Sequence, residues 1–244
     1  MLMRVADRTA AEAPHSGRYC DLTEARVALA GVSPDLGGDV ALAFADHGAK
    51  LDLTVSETAP ETDALLSVLA ASGADISART TDGADAEPLA TATAAAAKAF
   101  GALDVAVHCV TLADDVFDNV ASFDDLEVGI ADALGDALRA AEVAANRMGL
   151  LWSDGLVLTV LRMPAITGPA AQVFSGLVRH AIAASTKDVA ERAADHGVRV
   201  NAVLLGGPPP APGAEPPQSA ADIALYLASK AGRSMTGLVF DAAD

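Results

Sequence analysis

The sequence predicts an α/β fold, namely a Rossmann-like, doubly wound, mostly parallel seven-stranded sheet with helices on both faces. Short apolar runs alternate with longer segments of helical spacing, and this alternation is typical of βαβ units and a parallel sheet. Gly48, Gly101 and Gly197 each close a helical segment, as glycine often does because it adopts the left-handed conformation. The apolar runs between them, such as ARVALAG and GLVLTVL, are therefore interpreted as buried strands.

Each element follows in order along the chain. The predicted strands lie at 25–31, 49–55, 74–80, 103–110, 155–161, 198–205 and 237–242. The predicted helices lie at 38–48, 61–73, 87–101, 123–148, 173–196 and 219–232. The segment GGPPPAPGAEPPQ at 206–218 is neither helix nor sheet interior, because proline lacks an amide donor and fixes φ. We find no repeat and no second domain, so we expect a flexible extension over 1–24 and one domain over 25–244.

Composition limits the classes of function. The formal net charge of −17 disfavours nucleic acid and anionic membranes, because no basic patch could neutralise phosphates. Two cysteines form no disulfide framework and no metal set, which suits a reducing cytoplasm. The first residues lack the apolar core of a signal peptide, and no apolar run approaches the roughly 18 residues of a membrane span. We therefore expect a cytoplasmic protein that binds neither metal, nucleic acid nor membrane.

The order of segments resembles the short-chain dehydrogenase/reductase family over about residues 21 to 244. DLTEARVALAG is similar to the first strand of that family, DVAVHC to the fourth and GVRVNAV to the sixth. LASKAGRSMTGLVFDAA is similar to the C-terminal segment of the family. The resemblance implies a fold that binds NAD or NADP above a glycine-rich turn and performs proton chemistry with a Ser, Tyr and Lys set.

The cofactor turn departs from the family pattern TGxxxGxG. Here it is AGVSPDLG, in which Gly31 and Gly37 match but Asp35 replaces the middle glycine. Like charges about 4 Å apart cost about 4 kcal/mol at an effective dielectric near 20. That cost offsets much of the roughly 8 kcal/mol of micromolar binding. Asp39 adds to the repulsion, and we interpret Asp35 as a helix cap that stands in place of a phosphate.

Other cofactor positions that the resemblance implies are also changed. Val55 and Ser56 stand where an acidic residue or an arginine would hold the ribose, and Glu57 is a displaced alternative. Arg79 stands where an acidic residue follows the third strand. His108 lies in HCVT, the counterpart of the family's NNAG, and is interpreted as a strand-end residue rather than an acid or base. We therefore expect no cofactor in this chain.

The catalytic set is absent from its expected positions. Counting back from GVRVNAV, the resemblance assigns Ser175 to the tyrosine position and Arg179 to the lysine position. Arg162 stands thirteen residues before Ser175, where the family has serine, and the asparagine position falls at Ala133 or Leu134.

An exhaustive search finds no replacement for this set. The chain has two tyrosines and four lysines, and only Tyr226 and Lys230 have the family's spacing. That pair lies in the helix before the last strand, away from the expected site. The Pro-rich 206–218 segment also replaces the long loop that closes over substrate in the family.

These departures favour a catalytically silent subunit of a hetero-oligomeric dehydrogenase. Its partner would be an active short-chain dehydrogenase that carries NAD or NADP and acts on a hydroxyacyl-CoA or a similar alcohol or ketone. We expect contact through helices 123–148 and 173–196, in a hetero- or homo-tetramer. Small residues on both helices permit close approach, and they are Ala137, Ala140, Ala141, Ala144, Ala145, Ala181, Ala183 and Ala184.

Two alternatives stay open. One is an atypical oxidoreductase in which Arg162 or Arg179 polarises a carbonyl, although arginine cannot itself be the acid near neutral pH. The other is a regulatory module that holds an anion between the two arginines. A third interpretation of the arginines is plain ion pairing with Asp136 or Asp188.

Overall fold

The computed structural model describes residues 19–33, 35–55, 60–80, 88–112, 123–151, 153–164, 168–206 and 218–242. The strands are β1 Arg26–Val32, β2 Lys50–Val55, β3 Ile76–Thr80, β4 Val105–Thr111, β5 Leu156–Arg162, β6 Arg199–Leu205 and β7 Val239–Asp241. The helices are α1 Gly38–Asp46, α2 Pro60–Ala71, α3 Leu89–Phe100, α4 Phe123–Leu150, α5 Gly168–Ala193 and α6 Ala220–Ala228.

The seven strands form one sheet in the order β3-β2-β1-β4-β5-β6-β7, and every pair is parallel. The predicted fold class is thus confirmed. The strand order reverses between β1 and β4, and ligands of open α/β sheets bind in the crevice at such a reversal, outside the carboxyl ends of the strands. This carboxyl edge is where a site is expected.

Side chains of each strand alternate between two buried layers. In β1, Val27 and Leu29 join the core beneath α1 and α6, whereas Ala28 and Ala30 face the layer that contains α3 and α4. Helices therefore cover both faces of the sheet, as the doubly wound prediction requires. Because strands buried on both faces have no polar side, they form the near-continuous apolar runs seen in the sequence.

Several boundaries differ from the prediction. Helix α5 begins at Gly168, five residues before the predicted start, and ends at Ala193 in a 3-10 turn. Helix α6 ends at Ala228 rather than residue 232, because the Ser229 side chain accepts a hydrogen bond from Ala231 and starts a 3-10 turn. The last strand is also shorter than the predicted 237–242.

Part of the predicted N-terminal extension belongs to the domain. Leu22, in a 3-10 turn at Cys20–Leu22, is 2% exposed and lies in the main core. The Asp21 carboxylate accepts a hydrogen bond from the Lys230 backbone amide at 2.6 Å. Asp21 and Leu22, within the segment predicted as an extension, thus contact the domain.

The α4 alanines, predicted to permit close approach of a partner, are not available on the surface of the domain. The five alanines predicted on α4 are all buried within this chain, against the sheet and α3. Their close approach serves packing of the domain itself, which a sequence cannot distinguish from packing of a subunit interface. On α5, Ala183 and Ala184 are exposed, and Ala181 is half-buried.

A tryptophan scan of the two helices has a clear expected result. Ala141→Trp should lower the free energy of unfolding by about 1–3 kcal/mol or more, because it overpacks a filled core. Ala184→Trp should change it by no more than about 0.5 kcal/mol, because that side chain faces solvent. Urea unfolding followed by circular dichroism measures both. Equal stability of the two variants would contradict the assignment of the α4 alanines to the core.

Helices α4 and α5 are 28 and 26 residues long, yet no helix in the described ranges is long and apolar enough to cross a bilayer. Both carry apolar side chains on the outside as well. Val128 on α4 and Val173 and Leu177 on α5 are exposed. Val173 and Leu177 are four residues apart and therefore lie on one face of α5.

Candidate functional site

The turn between β1 and α1 lies directly on Cys109 of β4. Gly31 and Gly37 have φ of 77° and 90°, in the left-handed region that favours glycine. A Cβ at Gly31 would lie 2.4 Å from the Cys109 carbonyl oxygen, and one at Gly37 would lie 2.5 Å from the Cys109 Sγ. Both matching glycines are thus needed by the packing of this chain, with or without a cofactor.

The same turn is closed by its own backbone. Ser33 and Leu36 exchange two hydrogen bonds, at 2.9 and 3.2 Å, so these two amides are already engaged. The N-cap of α1 is Gly37, without a side-chain hydrogen bond. Asp35 lies two residues before Gly37 and is exposed. The interpretation of Asp35 as the helix cap is therefore wrong.

Negative charge lies over this part of the crevice. Asp39, in the first turn of α1, is exposed beside Asp35. Burial and the Asp39 carboxylate together raise the pKa of the Cys109 thiol to about 12. Cys109 is consequently a neutral, buried thiol near pH 7 and cannot act as a nucleophile or an acid there.

Arg162 connects the end of β5 to the β1–α1 turn. Its Nη2 donates a hydrogen bond to the Asp35 carbonyl oxygen at 2.7 Å. Strand β4 lies between β1 and β5 in the sheet, so the side chain passes over the carboxyl end of β4. Arg162 therefore lies within the crevice where the fold places ligands.

Ser175 and Arg179 lie together on the sheet-facing side of α5, one helical turn apart. Ser175 is 5% exposed. Arg179 forms an ion pair with Asp241 at the end of β7, with 2.5 Å between Nη1 and Oδ1. The suggested acidic partners of the arginines were wrong, since Asp136 accepts a hydrogen bond from the Leu89 amide and Asp188 pairs with Arg192.

Arg79 forms an ion pair inside the sheet layer. Its Nη2 lies 2.7 Å from the Oδ1 of Asp52, whose side chain is 4% exposed. The same Nη2 lies 3.5 Å from the Thr54 hydroxyl and from the Ala92 carbonyl oxygen of α3. The guanidinium thus turns back over β2, where it compensates a buried carboxylate.

His108 is a buried residue in the middle of β4 rather than at its end. The Thr93 hydroxyl donates to the Leu89 carbonyl oxygen at 2.8 Å, so it accepts from the His108 Nε2, 2.9 Å away. This arrangement assigns the ring proton to Nε2. Burial lowers the pKa of His108 to about 4. The ring is therefore neutral at pH 7 and has a structural role.

Comparison with known proteins decides the family. A family model described as "Enoyl-(Acyl carrier protein) reductase" matches residues 31–209, which is well over half of the chain. The chain belongs to the short-chain dehydrogenase/reductase family. No curated protein sequence matches it.

Solved structures of this family share the fold. The chain is 20% identical to a short-chain dehydrogenase/reductase from Serratia marcescens, covering 91% of this chain and 97% of that one, with a TM-score of 0.66. A putative oxidoreductase from Escherichia coli str. K-12 is 20% identical, with coverage of 89% and 95% and a TM-score of 0.68. An enoyl-(acyl-carrier-protein) reductase from Anaplasma phagocytophilum, in complex with NAD, is 20% identical, with coverage of 90% and 92% and a TM-score of 0.62.

The tyrosines and lysines of this family member lie away from the carboxyl edge. Tyr19 contacts the His47 ring near the amino end of β2, with 6.1 Å between ring centroids. Tyr226 and Lys230 belong to the α6 region, where Lys230 contacts Asp21 before β1. Lys50 begins β2 and pairs with Glu24. Lys98 and Lys187 are exposed on α3 and α5.

Not every predicted position is described. Leu134 is fully buried in the core beside α5, but the side chain of Ala133 lies outside the described residues. Ser56, Glu57 and most of the 206–218 segment also lie outside them. Val55, at the end of β2, is buried. That these positions are vestiges of the family's catalytic and ribose sites stays a prediction.

Sequence reasoning missed the partners of the polar residues at this edge. Asp241 and Asp52, which hold Arg179 and Arg79, were not selected, although each lies in or at the end of a strand. A carboxylate inside an apolar strand, such as Asp52 in KLDLTV, signals a buried ion pair. Among the described residues, no group of three or more His, Cys, Asp or Glu could hold a metal ion.

Proposed function

We propose that this short-chain dehydrogenase/reductase is a catalytically silent subunit that associates with an active member of its family. One observation carries the proposal: both tyrosines and all four lysines lie away from the carboxyl edge of the sheet. The family's reaction needs a tyrosine hydroxyl as proton donor and a nearby lysine to lower its pKa. Ser175 and Arg179 occupy the corresponding face of α5, and neither can take those roles near neutral pH.

Other proton donors at the crevice are also poor. The pKa of His108 is about 4 and that of Cys109 about 12, so neither exchanges a proton readily at pH 7. The Arg179 guanidinium is paired with Asp241, and arginine does not deprotonate in proteins. These features favour the silent subunit over an atypical oxidoreductase that uses Arg162 or Arg179.

The same features count against a cofactor in this chain. Asp35 and Asp39 are exposed at the turn where a pyrophosphate would lie, and the Ser33 and Leu36 amides are bonded to each other. Arg79, which stands where the family pattern has an acidic residue after the third strand, is paired with Asp52. In the proposed complex, NAD or NADP is carried by the partner.

The proposed contact surface is the outer side of α4 and α5. Val128 and Val173 are 58% and 61% exposed, and Leu177 lies one turn after Val173. Exposed apolar groups on neighbouring helices suit a hetero- or homo-tetramer interface. The buried α4 alanines contribute only indirectly, because they hold α4 against the sheet.

Purification of the tagged chain from its native cell tests the association. We expect an active short-chain dehydrogenase to co-elute with the wild-type chain. The amount of partner that co-elutes with the double variant Val173→Asp/Leu177→Asp should be at least tenfold lower, because two carboxylates in an apolar interface are costly. Val68→Asp is the matched control, since Val68 is exposed on α2, away from the surface. A wild-type monomer that recruits no dehydrogenase would refute the proposal.

Calorimetric titration tests the cofactor. The isolated chain should bind NADH and NADPH with a dissociation constant above about 100 μM, which corresponds to less than about 5.5 kcal/mol of binding. The Ser175→Tyr/Arg179→Lys variant should likewise turn over no ketone, because the turn and its charges are unchanged. Tighter nucleotide binding by the wild type would favour the atypical oxidoreductase instead.

A further inference from the structure

The hydrogen bond from Arg162 to the β1–α1 turn connects the carboxyl ends of β5 and β1, which lie on opposite sides of the cofactor crevice. We propose that Arg162 is a latch, whose side chain closes the crevice between β1 and β4 to a dinucleotide. The proposal rests on the proposed function, in which this chain holds no cofactor. It adds how the dinucleotide is excluded, namely by a single side chain that acts together with the charges of Asp35 and Asp39.

The backbone of Arg162 is fixed on both sides. Its carbonyl oxygen accepts a hydrogen bond from the Leu112 amide at 3.0 Å, next to β4. The following residue, Met163, donates to the Leu205 carbonyl oxygen at 3.0 Å, next to β6. Since the main chain is held at the end of β5, only the side chain can reach the β1–α1 turn.

The side chain crosses the width of β4. Adjacent strands lie about 4.8 Å apart, so β5 and β1 are separated by about 10 Å at their ends. The bond from Nη2 to the Asp35 carbonyl oxygen measures 2.7 Å, and its residues are 127 positions apart in the chain. The extended guanidinium arm therefore occupies space outside the carboxyl end of β4. A dinucleotide in this fold lies across the same space, between the turn and β5.

The receiving turn is held by backbone hydrogen bonds and carries negative charge. It is closed by the Ser33 and Leu36 hydrogen bonds and lies on Cys109 through Gly37. The exposed Asp35 and Asp39 carboxylates favour a guanidinium nearby. The contact is itself exposed, so a single substitution of Arg162 removes it.

Hydrogen–deuterium exchange tests the latch without any nucleotide. Arg162→Ala should raise exchange at the amides of residues 35–38 about tenfold, the factor that loss of one 1.4 kcal/mol hydrogen bond gives. Arg192→Ala, which removes an arginine with the same charge from the exposed face of α5, should leave this turn unchanged. Unchanged exchange in Arg162→Ala would overturn the proposal, whether or not the chain binds NADH.

NADH affinity tests the closure. The double variant Arg162→Ala/Asp35→Gly should bind NADH at least tenfold more tightly than Asp35→Gly alone, although it has lost a positive charge. A purely electrostatic role of Arg162 gives the opposite sign, so weaker binding would identify an anion ligand and overturn the latch. Faster exchange with unchanged affinity would mean that the bridge holds the turn without closing the crevice, and would overturn it too. Partner co-elution is independent of both measurements, so failure of the proposed association can be distinguished from failure of the latch.

Discussion

Between pH 6.5 and pH 4, the free energy of unfolding of His108→Gln should fall by about 3 kcal/mol less than that of the wild-type chain. Burial lowers the pKa of His108 to about 4 in the folded protein, from the ordinary 6.5. Between these values the unfolded chain binds a proton at this residue and the folded chain does not. Stability therefore falls as the pH falls, and above pH 6.5 the residue contributes no pH dependence.

The geometry around His108 explains why the proton is excluded. Its Nε2 already donates to Thr93, and Nδ1 is buried with no hydrogen-bond partner among the described residues. A proton on Nδ1 would create an uncompensated buried charge. Glutamine keeps a donor for Thr93 and does not titrate.

Urea unfolding of the wild type and the variant at pH 7, 6, 5 and 4 measures the difference. His180→Gln is the control, since it removes a histidine that is exposed on α5 rather than buried in the core. Parallel stability curves for wild type and His108→Gln would contradict a buried neutral histidine. The difference between the two stability curves removes the pH effects that are common to both proteins.

The strands could be predicted from sequence because the apolar run that marks each strand is a local feature of the sequence. A strand covered by helices on both faces must be apolar at successive positions, as LVLTVL in β5 is, and such runs are visible without knowledge of the partner strands. Helix ends are less visible because a side chain can begin a 3-10 turn, as Ser229 does after α6. The parallel pairing of the strands could be predicted from the alternation of strands and helices, since parallel neighbours need crossover connections.

The candidate site could be predicted only in part. Arg162, Ser175 and Arg179 lie at the same sheet edge because α5 directly follows β5, which the sequence order reveals. Their partners are far away in the chain, since Arg179 and Asp241 are 62 positions apart. With 33 acidic and 16 basic residues, composition offers each arginine too many acidic partners to choose among. The bond from Arg162 goes to a backbone oxygen, for which no side chain gives a signal.

The α4 alanines illustrate a second limit. Small residues at helical spacing predict close approach of another element, but they do not identify that element. In this chain Ala141, Ala144 and Ala145 contact the domain's own sheet layer. The exposed Val173 and Leu177 were not selected, because isolated apolar residues on a helix are common at protein surfaces.

Arg79→Ala should destabilise the fold by about 3 kcal/mol, because it leaves the Asp52 carboxylate buried without its guanidinium partner. The Asp52 side chain is only 4% exposed, so water cannot replace the lost charge. The matched control is Arg26→Ala, because Arg26 and Asp104 also lie 2.7 Å apart but are 34% and 39% exposed. That variant should cost about 1 kcal/mol or less.

The double variant Arg79→Ala/Asp52→Ala should recover part of the loss, because neither charge is then buried alone. Urea unfolding of the wild type, Arg79→Ala, Asp52→Ala and the double variant gives the coupling energy of the pair. If the Arg79 and Arg26 variants unfold at the same urea concentration, burial of Asp52 is not what makes Arg79 important. Arg79, near the end of β3, would then have a role other than compensation of a buried carboxylate. A large loss of stability in Arg79→Ala alone means that this position has been taken over by the fold itself.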